Sequence, residues 1–95
     1  MSYIEETIIK EMKSYIEEGN LKMIINKYNE YINETHFEFK TQWDYIFSKI
    51  YIHSCLKKHP NISKWLKENI YNNFDEFTKI AIKHVINYGN YLMNK

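Results

Sequence analysis

The chain has 95 residues, which suits one domain, and all 13 of its basic residues are Lys, with no Arg. The bidentate guanidinium contacts that read guanine or phosphate therefore cannot occur, and the formal net charge of +1 also argues against specific nucleic-acid binding. Charge is nevertheless divided along the chain, because residues 1–38 carry net −4 and residues 39–95 carry net +5. Such an asymmetry can orient a charged partner.

The compartment is indicated by the cysteine usage. Cys55 is the only cysteine, so the chain has no intramolecular disulfide and a reducing compartment is favoured. No apolar run approaches the ~18 residues of a membrane span. No signal-peptide pattern opens the chain either. We therefore predict a cytoplasmic protein that does not enter the membrane.

The first predicted unit is a helical hairpin over residues 3–33. Ser2 and Glu5 form an S-x-x-E capping box ahead of apolar residues that recur every three to four positions. Gly19 is expected to end the first helix in the left-handed conformation, and Asn20 to cap the second. Because only these two residues separate the helices, they should pack antiparallel. The apolar stripes are Ile4, Ile8, Ile9, Met12, Tyr15 and Ile16, then Leu21, Ile24, Ile25, Tyr28 and Ile32.

A loop over residues 34–41 separates this hairpin from a second one over residues 42–72. The helical period is lost in the loop and returns after it. Pro60, the only proline, is expected to end one helix and begin the next. The predicted core residues are Trp43, Ile46, Phe47, Ile50 and Ser54, then Ile62, Trp65, Leu66 and Ile70.

A closing helix is predicted over residues 74–93. Asn73 and Glu76 form an N-x-x-E start, and Gly89 is expected to stop the helix before a short final turn. The residues predicted to face the core are Phe77, Ile80, Ala81, His84, Val85 and Tyr88. His84 is accordingly expected to be a hydrogen-bonded core residue.

These segments predict an all-α fold of about five helices, arranged as antiparallel hairpins in a single domain over residues 1–95. The sequences at the helix breaks at Gly19 and Pro60 are similar, as they are in stacked helical repeats. Residues 51–55 followed by residues 62–66 resemble the paired helices of an ankyrin unit, within residues 43–71. That family's threonine–proline opening is missing, and its central glycine is displaced. A small irregular bundle and a short ankyrin- or armadillo-like stack therefore both remain open.

The residue types that carry chemistry are not arranged for it. No two of the histidines, His36, His53, His59 and His84, stand three or four residues apart, the spacing that aims two metal ligands from one helix. Cys55 and His53 are two apart on a predicted helix, so their side chains point away from each other. The two isolated glycines cannot form a phosphate-binding loop. We predict no catalytic residues, no metal, no cofactor and no enzymatic activity.

The predicted partner-binding surface is an acidic segment edged by aromatic residues. It comprises Glu30, Tyr31, Glu34, His36, Glu38, Asp44 and Tyr45. Its carboxylates favour a basic protein such as a nuclease, and tyrosine is enriched at interfaces. Other tyrosines off the stripes are also expected at an interface, namely Tyr3, Tyr51, Tyr71 and Tyr91. The rival surface suits an acidic partner or a nucleic-acid backbone and comprises Lys57, Lys58, His59, Lys64 and Lys67.

Composition and two short segments favour an inhibitor. Ile, Lys, Asn, Tyr and Phe supply 53 of the 95 residues, a bias typical of a low-GC genome or a mobile element. Residues 43–47 (Trp-Asp-Tyr-Ile-Phe) and residues 87–92 (Asn-Tyr-Gly-Asn-Tyr-Leu) resemble segments of the helical immunity proteins that neutralise bacterial toxins. The resemblance implies a tight stoichiometric complex with a toxin domain. Two alternatives remain: a phage-type antagonist of a host nuclease system, and a nucleic-acid-associated regulatory protein.

Overall fold

The computed structural model describes residues 3–33 and 40–93, and within these ranges the chain is a small all-α bundle. The predicted fold class is confirmed. A short 3-10 turn at Tyr71–Asn73 precedes the last helix. The five α-helices are α1 (Tyr3–Glu17), α2 (Leu21–Asn33), α3 (Lys40–Leu56), α4 (Pro60–Asn69) and α5 (Glu76–Met93).

The turn between α1 and α2 has the predicted chemistry. Gly19 adopts a φ of 68°, and its N–H donates to the Ile16 carbonyl at 2.9 Å. The Asn20 N–H donates to the Tyr15 carbonyl at 2.9 Å, which completes a Schellman motif. The Asn20 side chain then caps α2 by accepting from the Met23 N–H at 3.2 Å. Ser2 lies outside the described residues.

Helix α3 is the centre of the bundle, because it packs against α1, α4 and α5. Three of its residues, Ile46, Ile50 and Ser54, are completely buried. The Ser54 hydroxyl donates to the Tyr51 carbonyl at 2.7 Å, so this small polar side chain is satisfied inside the core. Helix α3 begins at Lys40, so the last two residues of the predicted loop over 34–41 are helical, and residues 34–39 lie outside the described ranges.

Helices α3 and α4 form the second predicted hairpin, and α4 begins at Pro60 as expected. Proline suits the first position of a helix because its missing N–H has no partner there. The described core consists mainly of isoleucine, with the fully or almost fully buried Ile8, Ile9, Met12, Ile16, Ile24, Ile46, Ile50, Ile62, Leu66 and Ile70. No helix in the described ranges combines the length and apolar character needed to cross a membrane.

The start of α5 differs from the prediction. Asp75, not Asn73, caps the helix, since its carboxylate accepts from the Thr78 N–H at 2.7 Å. The Asn73 side chain instead donates to the Asn69 carbonyl at 3.0 Å. Phe74 is buried and has extended backbone, so the chain turns inward there before helix formation can begin. The predicted start at residue 74 was therefore two residues early.

The predicted core face of α5 was wrong. Phe77 is 84% exposed and His84 is exposed, whereas Ile82 is 3% exposed and Ile86 packs against the core. Gly89 does not end the helix, which continues to Met93. A Cβ atom at residue 89 would lie 2.7 Å from the Leu56 Cδ2 atom, so this glycine permits close approach of α3. Close approach at that point turns the face of Ile82 and Ile86 inward.

Candidate protein-binding surfaces

A pocket with aromatic walls opens where α2, α3 and the end of α4 meet. Its volume is about 300 Å³. Helices α2 and α3 supply rings, α3 supplies a carboxylate, and the segment after α4 closes the far side. The lining residues are Tyr28, Trp43, Asp44, Phe47, Asn69, Ile70, Asn73 and Phe74, and we call this site the Trp43–Asp44 pocket.

The aromatic walls are fixed by ring-to-ring contacts. Trp43 stacks on Phe47 with centroids 5.3 Å apart and an interplanar angle of 15°. Tyr28 lies 5.2 Å from Phe47 and meets Trp65 edge to face at 5.3 Å. Such pairs stabilise beyond their buried area, by roughly 0.5–1.5 kcal/mol each. The walls are thus held in place by the same contacts that attach α2 to α3 and α4.

The chemistry of the pocket suits a positively charged group. Aromatic faces carry negative quadrupole density, and the half-buried Asp44 adds a carboxylate beside them. The amide nitrogen of Asn69 donates to the Trp65 carbonyl at 2.8 Å, and that of Asn73 donates to the Asn69 carbonyl. Each amide therefore uses one of its two N–H donors on the backbone, and its oxygen is an acceptor. The Asp44 carboxylate and the aromatic faces thus favour a cationic ligand.

The seven residues predicted to bind a partner do not form one surface in the described part of the structure. Asp44 lines the pocket, whereas the adjacent Tyr45 packs partly against the core and has the Lys49 Nζ atom 5.6 Å from its ring centroid. Glu30 is exposed near the end of α2 and pairs with Lys27 at 3.6 Å. The structure does not describe residues 34–39 or the side chain of Tyr31. Predictions for Tyr31, Glu34, His36 and Glu38 therefore lie outside the described part of the molecule.

Sequence reasoning missed most of the pocket. Trp43 and Phe47 were assigned to the core of their helix, and both do pack there, but their edges also form a wall. Phe74 was not assigned to any surface, because nothing local marks it as the residue at which the chain turns inward. Adjacent Trp43 and Asp44 were the only signal in the sequence, since they join an aromatic ring and a carboxylate on one turn of helix.

A second surface runs along the exposed side of α5, next to the contact of this helix with α3. Eight residues at three- and four-residue spacing form a continuous stripe, which we call the α5 stripe. It comprises Phe77, Ile80, Ala81, His84, Val85, Tyr88, Tyr91 and Leu92, and all are exposed. These residues include the predicted core face of this helix. Beside the stripe, a groove of about 250 Å³ lies between α5 and α3, with Ile52 of α3 in its lining.

Of the other tyrosines predicted to lie at an interface, two are buried and one is exposed. Tyr51 and Tyr71 are buried, and their rings stack with centroids 4.9 Å apart, so their assignment to a surface was wrong. Burial raises the pKa of Tyr51 above its ordinary value. Tyr91 is exposed on the α5 stripe, and the side chain of Tyr3 lies outside the described atoms.

The histidine and cysteine of α3 have structural contacts. The His53 Nε2 atom lies 2.8 Å from the Glu17 Oε1 atom, which ties the ends of α3 and α1 together. Lys57 approaches the same carboxylate at 3.6 Å, and these neighbours lower the pKa of Glu17. Burial raises the pKa of Cys55, which favours the thiol over the nucleophilic thiolate. Over residues 3–33 and 40–93, no three His, Cys, Asp or Glu residues are grouped so as to hold a metal ion.

The class that these features define is a small all-α bundle with an aromatic pocket and an open apolar helix face. Comparison of the chain with protein-family models, with curated proteins and with solved structures finds no match.

Proposed function

We propose that the chain is a non-enzymatic inhibitor that binds a basic protein, in the manner of an immunity protein that neutralises a toxin. The observation that supports this proposal is the Trp43–Asp44 pocket, where a carboxylate adjoins aromatic rings at the surface of a rigid bundle. The pocket lies at the lower end of the ~300–1,000 Å³ that small-molecule sites commonly span. A single side chain presented by another protein fits a space of this size.

A Lys or Arg side chain of the partner matches the pocket. A cation within ~6 Å of an aromatic ring gains roughly 0.5–1 kcal/mol at an exposed site and about 2 kcal/mol when desolvated. Asp44 adds a charge-assisted hydrogen bond. Tryptophan is among the residues that dominate binding energy at interfaces, as is arginine. The pocket therefore acts as the anchor point of a larger interface.

Inhibition follows from covering the partner's basic surface. A protein that acts on nucleic acid concentrates Lys and Arg where it contacts phosphates. An inhibitor that engages one of those side chains through Asp44 occupies the surface that substrate requires. A bacterial toxin nuclease and a host defence nuclease share this chemistry, so the same pocket serves the immunity protein and the phage-type antagonist.

The test begins with affinity capture from the native host, followed by purification of the captured protein and an assay of its activity. We expect one basic protein to bind stoichiometrically and to lose activity when bound. Asp44→Asn should weaken this complex by about tenfold or more, because a charged partner is lost while the shape is kept. Glu68→Gln is the matched control, since Glu68 is an exposed acidic residue of α4 outside the pocket.

The far-ultraviolet circular dichroism of both variants should match that of the wild-type chain. Equal affinity of Asp44→Asn and Glu68→Gln would reject the pocket as the anchor. Reversal of Glu34 and Glu38 to Lys tests the predicted acidic loop separately, and it should weaken the complex without changing thermal stability. Recovery of nucleic acid alone, with binding that falls steeply as salt is added, would replace the inhibitor by the nucleic-acid-associated alternative.

A further inference from the structure

Helix α5 is apolar over most of its circumference, and the bundle covers only part of that apolar surface. The inner side is a narrow seam in which Ile82 is buried and Ile86 is half-buried. The outer side is the α5 stripe. A helix that is apolar over most of its circumference is typical of a helix that is buried all round. In the described ranges, α5 has substantial contact with α3 alone.

The area of the α5 stripe approaches that of a protein interface. Its six large apolar side chains are each at least 50% exposed, and Phe77 is 84% exposed. Three of the six are aromatic, and a whole aromatic side chain offers roughly 150–250 Å², so at these exposures the six together present roughly 600–700 Å². The largest apolar patch on a typical monomer is about 300–600 Å². A standard interface buries about 800 Å² on each partner, and the stripe supplies most of that area.

The α5 stripe is complementary to itself when it is reversed. It extends from Phe77 to Leu92, about 22 Å at 1.5 Å per residue, and its midpoint falls between residues 84 and 85. A two-fold axis at this midpoint sets Phe77 of one copy level with Leu92 of the other. The same axis sets the small Ala81 level with Tyr88, so a large ring meets a space. Two-fold pairing is also the commonest symmetry of soluble oligomers.

The charges of α5 permit this arrangement. The exposed Lys83 lies off the α5 stripe and comes level with Ile86 of the other copy. Lys79 comes level with Asn90, and its Nζ atom is 3.4 Å from the Glu76 carboxylate of its own helix. Glu76 in turn comes level with Met93. No two lysines and no two carboxylates of α5 therefore meet across the axis, and the antiparallel helix dipoles attract.

We propose that a second copy of this chain covers the α5 stripe, so that α5 packs antiparallel against its counterpart about a two-fold axis between residues 84 and 85. Helix α3 of each copy flanks the pair, and the groove beside Ile52 receives the edge of the other α5. The dimer is a four-helix arrangement of α3 and α5 from both copies. The dimer uses a different surface from the Trp43–Asp44 pocket, so the experiments on the dimer do not test the proposed inhibition.

Sedimentation equilibrium over a wide dilution series tests the dimer. We expect a mass twice the 11.7 kDa of one chain at high concentration, which falls towards one chain on dilution. Val85→Glu should weaken self-association at least a hundredfold, because it brings two carboxylates close together in the apolar contact beside the axis. Lys83→Glu, on the polar edge of the same helix, should leave it unchanged within about threefold. A monomer at every concentration, or a dimer that Val85→Glu leaves intact, overturns the proposal.

Cross-linking tests the orientation. In a Cys55→Ser background, a mixture of Phe77→Cys and Leu92→Cys chains should form a mixed disulfide dimer under mild oxidation, because residues 77 and 92 are level across the axis. The Phe77→Cys chain alone should remain uncross-linked. Efficient cross-linking of Phe77→Cys with itself requires a parallel pair and overturns the antiparallel arrangement. Circular dichroism of each variant checks that the helices are retained.

Discussion

Two isoleucines on α5, two positions apart, should respond very differently to truncation. Ile82 is 3% exposed and faces α3, whereas Ile80 is 54% exposed on the α5 stripe. Both lie in the interior of the helix, so Ile→Ala changes the intrinsic helix propensity by the same amount at each site. Any difference in stability therefore reports which side of α5 contacts the bundle.

The expected magnitudes separate clearly. Ile82→Ala removes buried methyl groups and leaves a cavity, which costs about 2–5 kcal/mol. Ile80→Ala removes mostly hydrated atoms and should change the free energy of unfolding by less than about 0.5 kcal/mol. A domain of this size shifts its melting temperature by ~4–8 °C per kcal/mol, so Ile82→Ala should lower it by at least roughly 10 °C.

Urea unfolding followed by circular dichroism measures both variants. The experiment is best performed in the Val85→Glu background, where self-association does not add to the stability of the wild-type stripe. Equal destabilisation by the two substitutions, or a larger effect of Ile80→Ala, would show that α5 is rotated about its axis relative to the present structure. The predicted core face of Phe77, Ile80 and Val85 would then be reinstated.

Three further predictions concern the two glycines, the cap of α5 and one histidine. Gly19→Ala should destabilise the fold by about 1–2 kcal/mol, because φ is positive at this residue. Gly89→Ala should change the free energy of unfolding by no more than about 1 kcal/mol, because the gain in helix propensity offsets the movement of the flexible Leu56 side chain. Thermal unfolding of the two variants measures both effects. Asp75→Ala should cost about 1 kcal/mol through loss of the α5 cap, and Asn73→Ala, a residue that does not cap α5, should cost less in urea unfolding. Burial lowers the pKa of His53, so the unfolded chain binds a proton at this imidazole more readily than the folded chain does. The contribution of His53 to stability should therefore be fully present above pH ~6.5 and should decrease as the pH falls below that value. The decrease should be shallower in His53→Gln.

Local chemistry explains where the sequence predicted the fold well. The turn at Gly19 depends on a left-handed glycine and on the capping Asn20 beside it, and both can be recognised from two adjacent residues of the sequence. Pro60 marks a helix start for an equally local reason. The core faces of α1, α2 and α4 followed from periodicity because each of these helices has one dominant apolar stripe.

Periodicity alone could not orient α5, since this helix has two apolar sides. The side that packs inward carries Gly89, whose missing side chain admits Leu56 from α3, 33 positions away in the chain. The N-cap of α5 is a similar case, because Phe74 is buried in extended conformation and the helix is therefore capped by Asp75 and not by Asn73. The Trp43–Asp44 pocket joins three helices and a turn, so Asp44 was the one lining residue predicted in advance to bind a partner.

The contact between Glu17 and His53 has a consequence for how the chain folds. These residues are 36 positions apart, and closing such a loop costs about 3 kcal/mol of chain entropy before any contact forms. The α1–α2 and α3–α4 hairpins, by contrast, close over a few residues and form early. We expect the slow step of folding to be the docking of α1 onto α3, when two preformed hairpins meet. Neither hairpin completes the core alone, so the chain should unfold as one cooperative unit and resist division into separately stable halves.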